Sequence, residues 1–229
     1  MALARMQIAT FGGSAYECAA DFPMLRLFLA IALCSQACAQ TPELLTQWVA
    51  AQKDLKDMHV PFRMTRAIPT LKEPASSQGN LYRLKDGRFR LEVGQPPSSI
   101  ILYDGESMHA QEDAQKGWHT LPPTHRAARM WTLFLHPTEM SVDSITRDFT
   151  PTVTEQTDSV STVTLKPKSA ALRRRLLQID IQIQRPGYRL LQMRVAQGDG
   201  STVTLTFAAP EVLTSAQQSR LVFTPPPSP

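Results

Sequence analysis

The residues with the most chemistry to offer are five histidines, three cysteines, three Asp-Gly pairs and a run of arginines. His59, His109, His119, His125 and His136 contain no i, i+4 pair and no neighbouring glutamate pattern, the spacing with which a helix presents zinc ligands. Cys18, Cys34 and Cys38 all lie in the first 38 residues, so the rest of the chain has no thiol nucleophile. A Gly-x-Ser-x-Gly elbow and a phosphate-cradling glycine loop are both missing from a chain with ten glycines. Asp86 and Asp104 each precede a glycine, and turn formation accounts for both. The pattern predicts no enzyme, no metal and no cofactor. Arg173, Arg174 and Arg175, with Lys166 and Lys168 close by, fit either contact with phospholipid headgroups or an acidic partner, or a solvated loop.

Composition narrows the class further. The chain has 229 residues, 42% of them hydrophobic and 19% charged, which suffices for a sizeable core. A net charge of +4 and a pI near 9.1, without basic clusters interleaved with aromatics, exclude a nucleic-acid surface as the expectation. Met24-Leu25-Arg26, the apolar run Leu27 to Leu33 and the small residues Ala37-Cys38-Ala39 read as a cleavable export signal over residues 24–39, too short to span a bilayer. Residues 1–23 read as an extension ahead of the true start at Met24, and residues 40–229 as one exported domain in the periplasm. A lipidated Cys38 is the competing reading, although Ser35-Gln36-Ala37 lacks the apolar residue expected three positions earlier.

The elements that must position any site follow from periodicity. Thr41 and Pro42 open a helix with Leu44, Leu45, Trp48, Val49 and Leu55 on one side. From Val60 the period becomes two: Val60, Phe62 and Met64; Phe89, Leu91 and Val93; Val163 and Leu165; Ile179, Ile181 and Ile183; Leu191, Met193 and Val195; Val203, Leu205 and Phe207. Each of these strands is expected to have one dry and one wet face. Asp86-Gly87 and Asp199-Gly200 close hairpins, which makes neighbouring strands antiparallel. Thr124 to His136 reads as an apolar helix ended by Pro137, residues 169–177 as a short helical turn or loop, and the tail from Thr224 as extended. The expected class is mainly β (α+β).

Gly79-Asn80-Leu81-Tyr82, then Gly87-Arg88-Phe89-Arg90-Leu91-Glu92 and Leu102-Tyr103-Asp104-Gly105, resemble in order the motifs of the LolA family of outer-membrane lipoprotein carriers. Val163-Thr164-Leu165-Lys166-Pro167-Lys168, Gly198-Asp199-Gly200 and Phe223-Thr224-Pro225-Pro226 continue the resemblance over most of the exported chain. It implies a single strongly curved antiparallel sheet, an incomplete β-barrel, with helices over its concave face. It also implies a monomeric periplasmic carrier of acylated lipoproteins or lipids, with an inner-membrane ABC transporter and an outer-membrane acceptor as partners. The alternatives are a sensor or an anchored acceptor of the same fold, or a hydrolase. Lipid binding is then expected at Val60, Phe62, Met64, Phe89, Leu91, Ile100, Leu102, Ile179, Ile181, Leu191 and Met193, with Met130, Trp131 and Phe134 filling the empty concavity. The family's arginine-proline pair after the Gly-x-Leu strand stands here as Lys85-Asp86, which keeps a charge and loses the forked hydrogen bonding of a latch.

Overall fold

The computed structural model describes residues 43–54, 56–113, 117–122, 140–219 and 221–223, within a unit running from Ala37 to Pro229. The export signal, the extension before it, the helix-opening residues Thr41 and Pro42, Leu55, the helix expected over Thr124 to His136 and the tail from Thr224 lie outside the described residues.

A first helix, α1, covers residues 43–53. Six strands follow: β1 (Met58–Ala67), β2 (Ala75–Arg83), β3 (Phe89–Val93), β4 (Ser99–Tyr103), β5 (Met108–Gln111) and β6 (His119–Leu121). After helix α2 (Val142–Asp148) come β7 (Phe149–Gln156), β8 (Val160–Pro167), helix α3 (Ala170–Arg173), β9 (Leu176–Gln184), β10 (Arg189–Gln197), β11 (Thr202–Phe207), β12 (Glu211–Val212) and helix α4 (Ser215–Gln218). All strands belong to one antiparallel sheet ordered β6-β5-β4-β3-β2-β1-β11-β10-β9-β8-β7, with β12 on β1. Two meanders therefore meet at the β1–β11 pair. Beyond about ten strands a twisted sheet curls, and this one curls without closing, because β6 and β7 remain its two outer strands.

The turns form for local reasons. Asp86 Oδ1 accepts from the Arg88 N–H at 3.1 Å between β2 and β3, and Gly87 takes a φ of 94° that a β-carbon would strain. Asp199 Oδ1 does the same between β10 and β11, accepting from the Ser201 N–H at 2.9 Å. Ser141 and Ser144 form a reciprocal capping box that starts α2 and sets Ile145 into the core, 0% exposed.

One face of the sheet carries the main core, which includes Leu44, Leu45, Trp48 and Val49 of α1. The first helix thus lies on the sheet as its periodicity requires. A smaller cluster of Leu84, Leu213 and Phe223, with Tyr82 and Leu221 against it, lies apart from that core. There the Arg88 guanidinium sits 5.7 Å from the Phe223 ring centre, and Arg90 Nη1 donates to the Val222 carbonyl at 3.0 Å. Through these contacts the Phe223 motif fastens the C-terminal segment to the sheet.

Strand β8 departs from the expected wet face. Thr162 and Thr164 are 9% and 5% exposed, and the Thr164 hydroxyl donates to Asp180 Oδ1 at 2.7 Å. Asp180 also accepts from Gln178 Nε2 and from Arg194 Nη1. Hydrogen bonding among these neighbours lets a polar row be buried without penalty.

Candidate functional site

Directly paired residues of antiparallel strands share a face, so the register traces the apolar surface from edge to edge. Outward through the second meander, Met64 faces Leu205, Leu205 faces Met193, Met193 faces Ile181, Ile181 faces Val163 and Val163 faces Val153. Outward through the first, Phe89 faces Tyr103, Tyr103 faces Met108 and Met108 faces Leu121. Val60, Phe62, Phe89, Leu91, Ile179, Ile181 and Met193 are all buried in the main core cluster, and Met64 packs against it partly buried. These eight share one face. Leu45 and Trp48 of α1, 0% and 1% exposed, are buried in the same cluster.

Three expected lining residues lie elsewhere. Ile100 and Leu102 pair with Glu92 and Arg90, which places them on the opposite face, and Ile101 and Tyr103 take the core positions instead. The cause is legible in the strand, where Ile100, Ile101 and Leu102 are consecutive and apolar, so alternation assigns no face. Leu191 falls at a register shift between Leu190 and Gln192, and Leu190 packs on the core in its place. The extra residue reverses the parity of the strand. Met130, Trp131 and Phe134 lie outside the described residues.

Sequence periodicity gives no sign of Arg83. It stands on the core face between Met58 and Phe89, is 3% exposed, and donates from Nη2 to the Gln52 carbonyl of α1 at 2.8 Å. A cation there also suits the negative end of the helix. Burial lowers its pKa to about 10, so it remains a cation at neutral pH. Among the described residues no carboxylate pairs with it. Gln52 in turn donates from Nε2 to the Tyr188 carbonyl at 3.3 Å. Lys85, at the position of the family's latch, is exposed, and its backbone N–H bonds Asp57 Oδ1 at 2.6 Å. The guanidinium that holds α1 stands two residues before Lys85 in the chain, at Arg83 of β2.

Gly79, the first residue of the Gly-x-Leu motif, sits opposite Phe62 on the same face. A β-carbon there would lie 2.7 Å from Phe62 Cε2 and would also overlap the Glu92 carbonyl oxygen. The glycine makes room for the Phe62 ring.

The described residues hold one arrangement of hydrolytic appearance. Thr120 Oγ1 lies 3.2 Å from His109 Nδ1, and His109 Nε2 lies 2.9 Å from Asp104 Oδ2. Asp104 Oδ1 also accepts from the Glu106 and Ser107 N–H groups, which makes it the anchor of the β4–β5 turn. Burial raises its pKa, yet the bonds from Ser107, Glu106 and His109 together hold it below the usual carboxylate value. Thr120 is exposed on a three-residue outer strand, where no apolar wall excludes water from a reacting group. The triad reads as turn architecture. Among the described residues no group of three or more His, Cys, Asp or Glu can hold a metal ion, and no helix is long and apolar enough to cross a membrane.

Of the basic run, Arg173 is committed locally, donating to the carbonyls of Pro167 and Lys168, while Arg174 and Arg175 are exposed.

Comparison with known proteins places this geometry. The family model "Outer membrane lipoprotein carrier protein LolA" matches residues 53–224. The fold is similar to that of a LolA superfamily protein from Nitrosomonas europaea, at 11% identity over 80% of this chain and 97% of that one, with a TM-score of 0.41. It is also similar to the lipoprotein LppX of Mycobacterium tuberculosis, at 15% identity, 73% and 94% coverage and a TM-score of 0.39. LprF of Mycobacterium bovis is similar at 16% identity, 77% and 95% coverage and a TM-score of 0.40. No curated protein matches the chain. Since the family model takes in every strand of the sheet, from the foot of α1 to the fastened C-terminal segment, the chain belongs to the LolA family of outer-membrane lipoprotein carrier proteins.

Proposed function

We propose that this protein is a periplasmic carrier that holds the acyl chains of lipoproteins or lipids on the apolar face of its open sheet and moves them from the inner to the outer membrane. The observation that carries the reading is the apolar face that runs through both meanders of the sheet and is interrupted at β2 by Ser77, Gly79 and Arg83, in a member of the LolA family, with helix α1 packed in its core. Withdrawing an acyl chain of about a dozen methylenes from water is worth roughly 10 kcal/mol at ~0.8 kcal/mol per methylene. Such cargo needs comparable apolar surface during transit, and the face offers it once α1 gives way. An inner-membrane ABC transporter would load the carrier and an outer-membrane acceptor would unload it. Export by the signal over residues 24–39 would deliver it there as a monomer.

The test is mass spectrometry of what co-purifies with the protein from its native periplasm. Acylated species at near one per chain are expected. A protein that emerges empty, and that binds no acyl probe afterwards, overturns the reading.

A further inference from the structure

Buried cations are normally paired with a carboxylate, and among the described residues Arg83 has none. It is 3% exposed, on the apolar face, and one of its five N–H donors is used, by the Gln52 carbonyl. Among the described residues its other donors have no bonded acceptor. The side chains in register beside it, Met58 and Phe89, are apolar and cannot satisfy them. A forked guanidinium with spare donors at the end of an apolar surface is the arrangement that receives a carboxylate or phosphate bidentately.

We propose that Arg83 receives the anionic head group of an acyl-chain ligand, so that the protein prefers ionised lipids to uncharged acyl chains of equal length. The inference rests on the carrier reading and adds head-group selectivity to it. An uncharged diacylated lipopeptide would bind through its chains alone, whereas a fatty carboxylate or an alkyl phosphate would gain the charge-assisted bond.

The experiment titrates the delipidated full chain at neutral pH with a fluorescent long-chain fatty acid and with its methyl ester. An alkyl phosphate of the same chain length and inorganic phosphate alone serve as competitors. A charge-assisted bond of the usual strength corresponds to a preference of about 10-fold to 100-fold for acid over ester. Arg83→Gln retains a donor for Gln52 and removes the charge, and is expected to bring the ratio to about one while ester binding persists. Arg83→Lys retains the charge without the fork and is expected to keep a reduced preference, which preserves the test should Arg83→Gln not fold. The alkyl phosphate should compete and inorganic phosphate should not. Equal binding of acid and ester by the unaltered protein overturns the anion site and leaves the carrier standing. Competition by inorganic phosphate alone overturns the lipid assignment. If neither acyl probe binds, the carrier reading falls and this inference with it.

Discussion

Replacing Trp48 by alanine separates a displaceable cover from a fixed wall. Trp48 is 1% exposed and sits on α1 over the apolar face, and truncating a buried Trp to Ala costs about 3–5 kcal/mol. In a domain of this size the melting temperature should fall by roughly 10 °C. If acyl chains can occupy the face only after α1 leaves, the intrinsic affinity is reduced by the fraction of molecules in which the helix is undocked. Each ~1.4 kcal/mol removed from docking raises that fraction tenfold. Trp48→Ala should therefore melt earlier and yet bind an acyl probe at least about tenfold more tightly, so that stability and affinity move in opposite directions. Thermal melts by circular dichroism and fluorescence titration on the same preparation measure the two quantities. A variant that melts earlier with affinity unchanged or weakened refutes the reasoning, because Trp48 would then belong to a rigid wall that contacts cargo.

Further predictions concern the frame around that face. Gly79→Ala forces a methyl against the Phe62 ring and the Glu92 carbonyl and should destabilise by ~2–3 kcal/mol in chemical denaturation, with Phe62→Leu restoring part of the loss. No recovery in the double variant would show that the carbonyl alone sets the limit. Ser161 is 1% exposed with its hydroxyl unbonded, so Ser161→Ala should raise stability by about 1 kcal/mol, and a measured loss would reveal a partner for that hydroxyl. Asp104 and Asp86 both have folded-state pKa values below the ordinary 3.8. Their stabilisation is complete above that ordinary value and is lost as pH falls through the folded one. Acid titration of stability should therefore steepen below about pH 4, and Asp104→Asn should flatten it; an unchanged curve would exclude the Asp104 turn as a source.

Much of this architecture is legible in the sequence because alternation survives wherever a strand has a polar partner face. Ile179, Ile181 and Ile183 between glutamines and Asp180 are all 0% exposed, and α1 lies on the sheet through the residues its spacing selects. Where both faces of a strand are apolar, parity is invisible, and alternation places β4 one residue out of phase. A bulge has the same effect at Leu191, since nothing in the local composition announces an extra residue in one strand. Strand β2 is legible only through its family motif. Its core-facing positions are Ala75, Ser77, Gly79, Leu81 and Arg83, which offer no hydrophobic period because Phe62 fills the space over the glycine. Arg83 escapes for the same reason: a charged residue at a strand end reads as solvent-facing until the register sets it beside Phe89.

The position of that arginine bears on how a carrier of this kind could release its cover. Gln52 lies near the C-terminal end of α1 and is held from both halves of the sheet, its carbonyl by Arg83 of β2 and its amide by the Tyr188 carbonyl in the turn before β10. Near the same helix, the Tyr188 hydroxyl donates to Gln47 Oε1 at 2.5 Å. Polar bonds thus reach α1 from both meanders, while Leu44, Leu45, Trp48 and Val49 supply apolar adhesion. Hydrophobic adhesion is non-directional and is replaced almost in kind by an acyl chain, so the chain alone gives little net drive for undocking. A guanidinium is different, because a carboxylate or phosphate is a stronger acceptor for it than a helix carbonyl. If Arg83 takes an anionic head group, cargo and cover compete for one side chain, and release of α1 is coupled to the head group as well as to the length of the acyl chain.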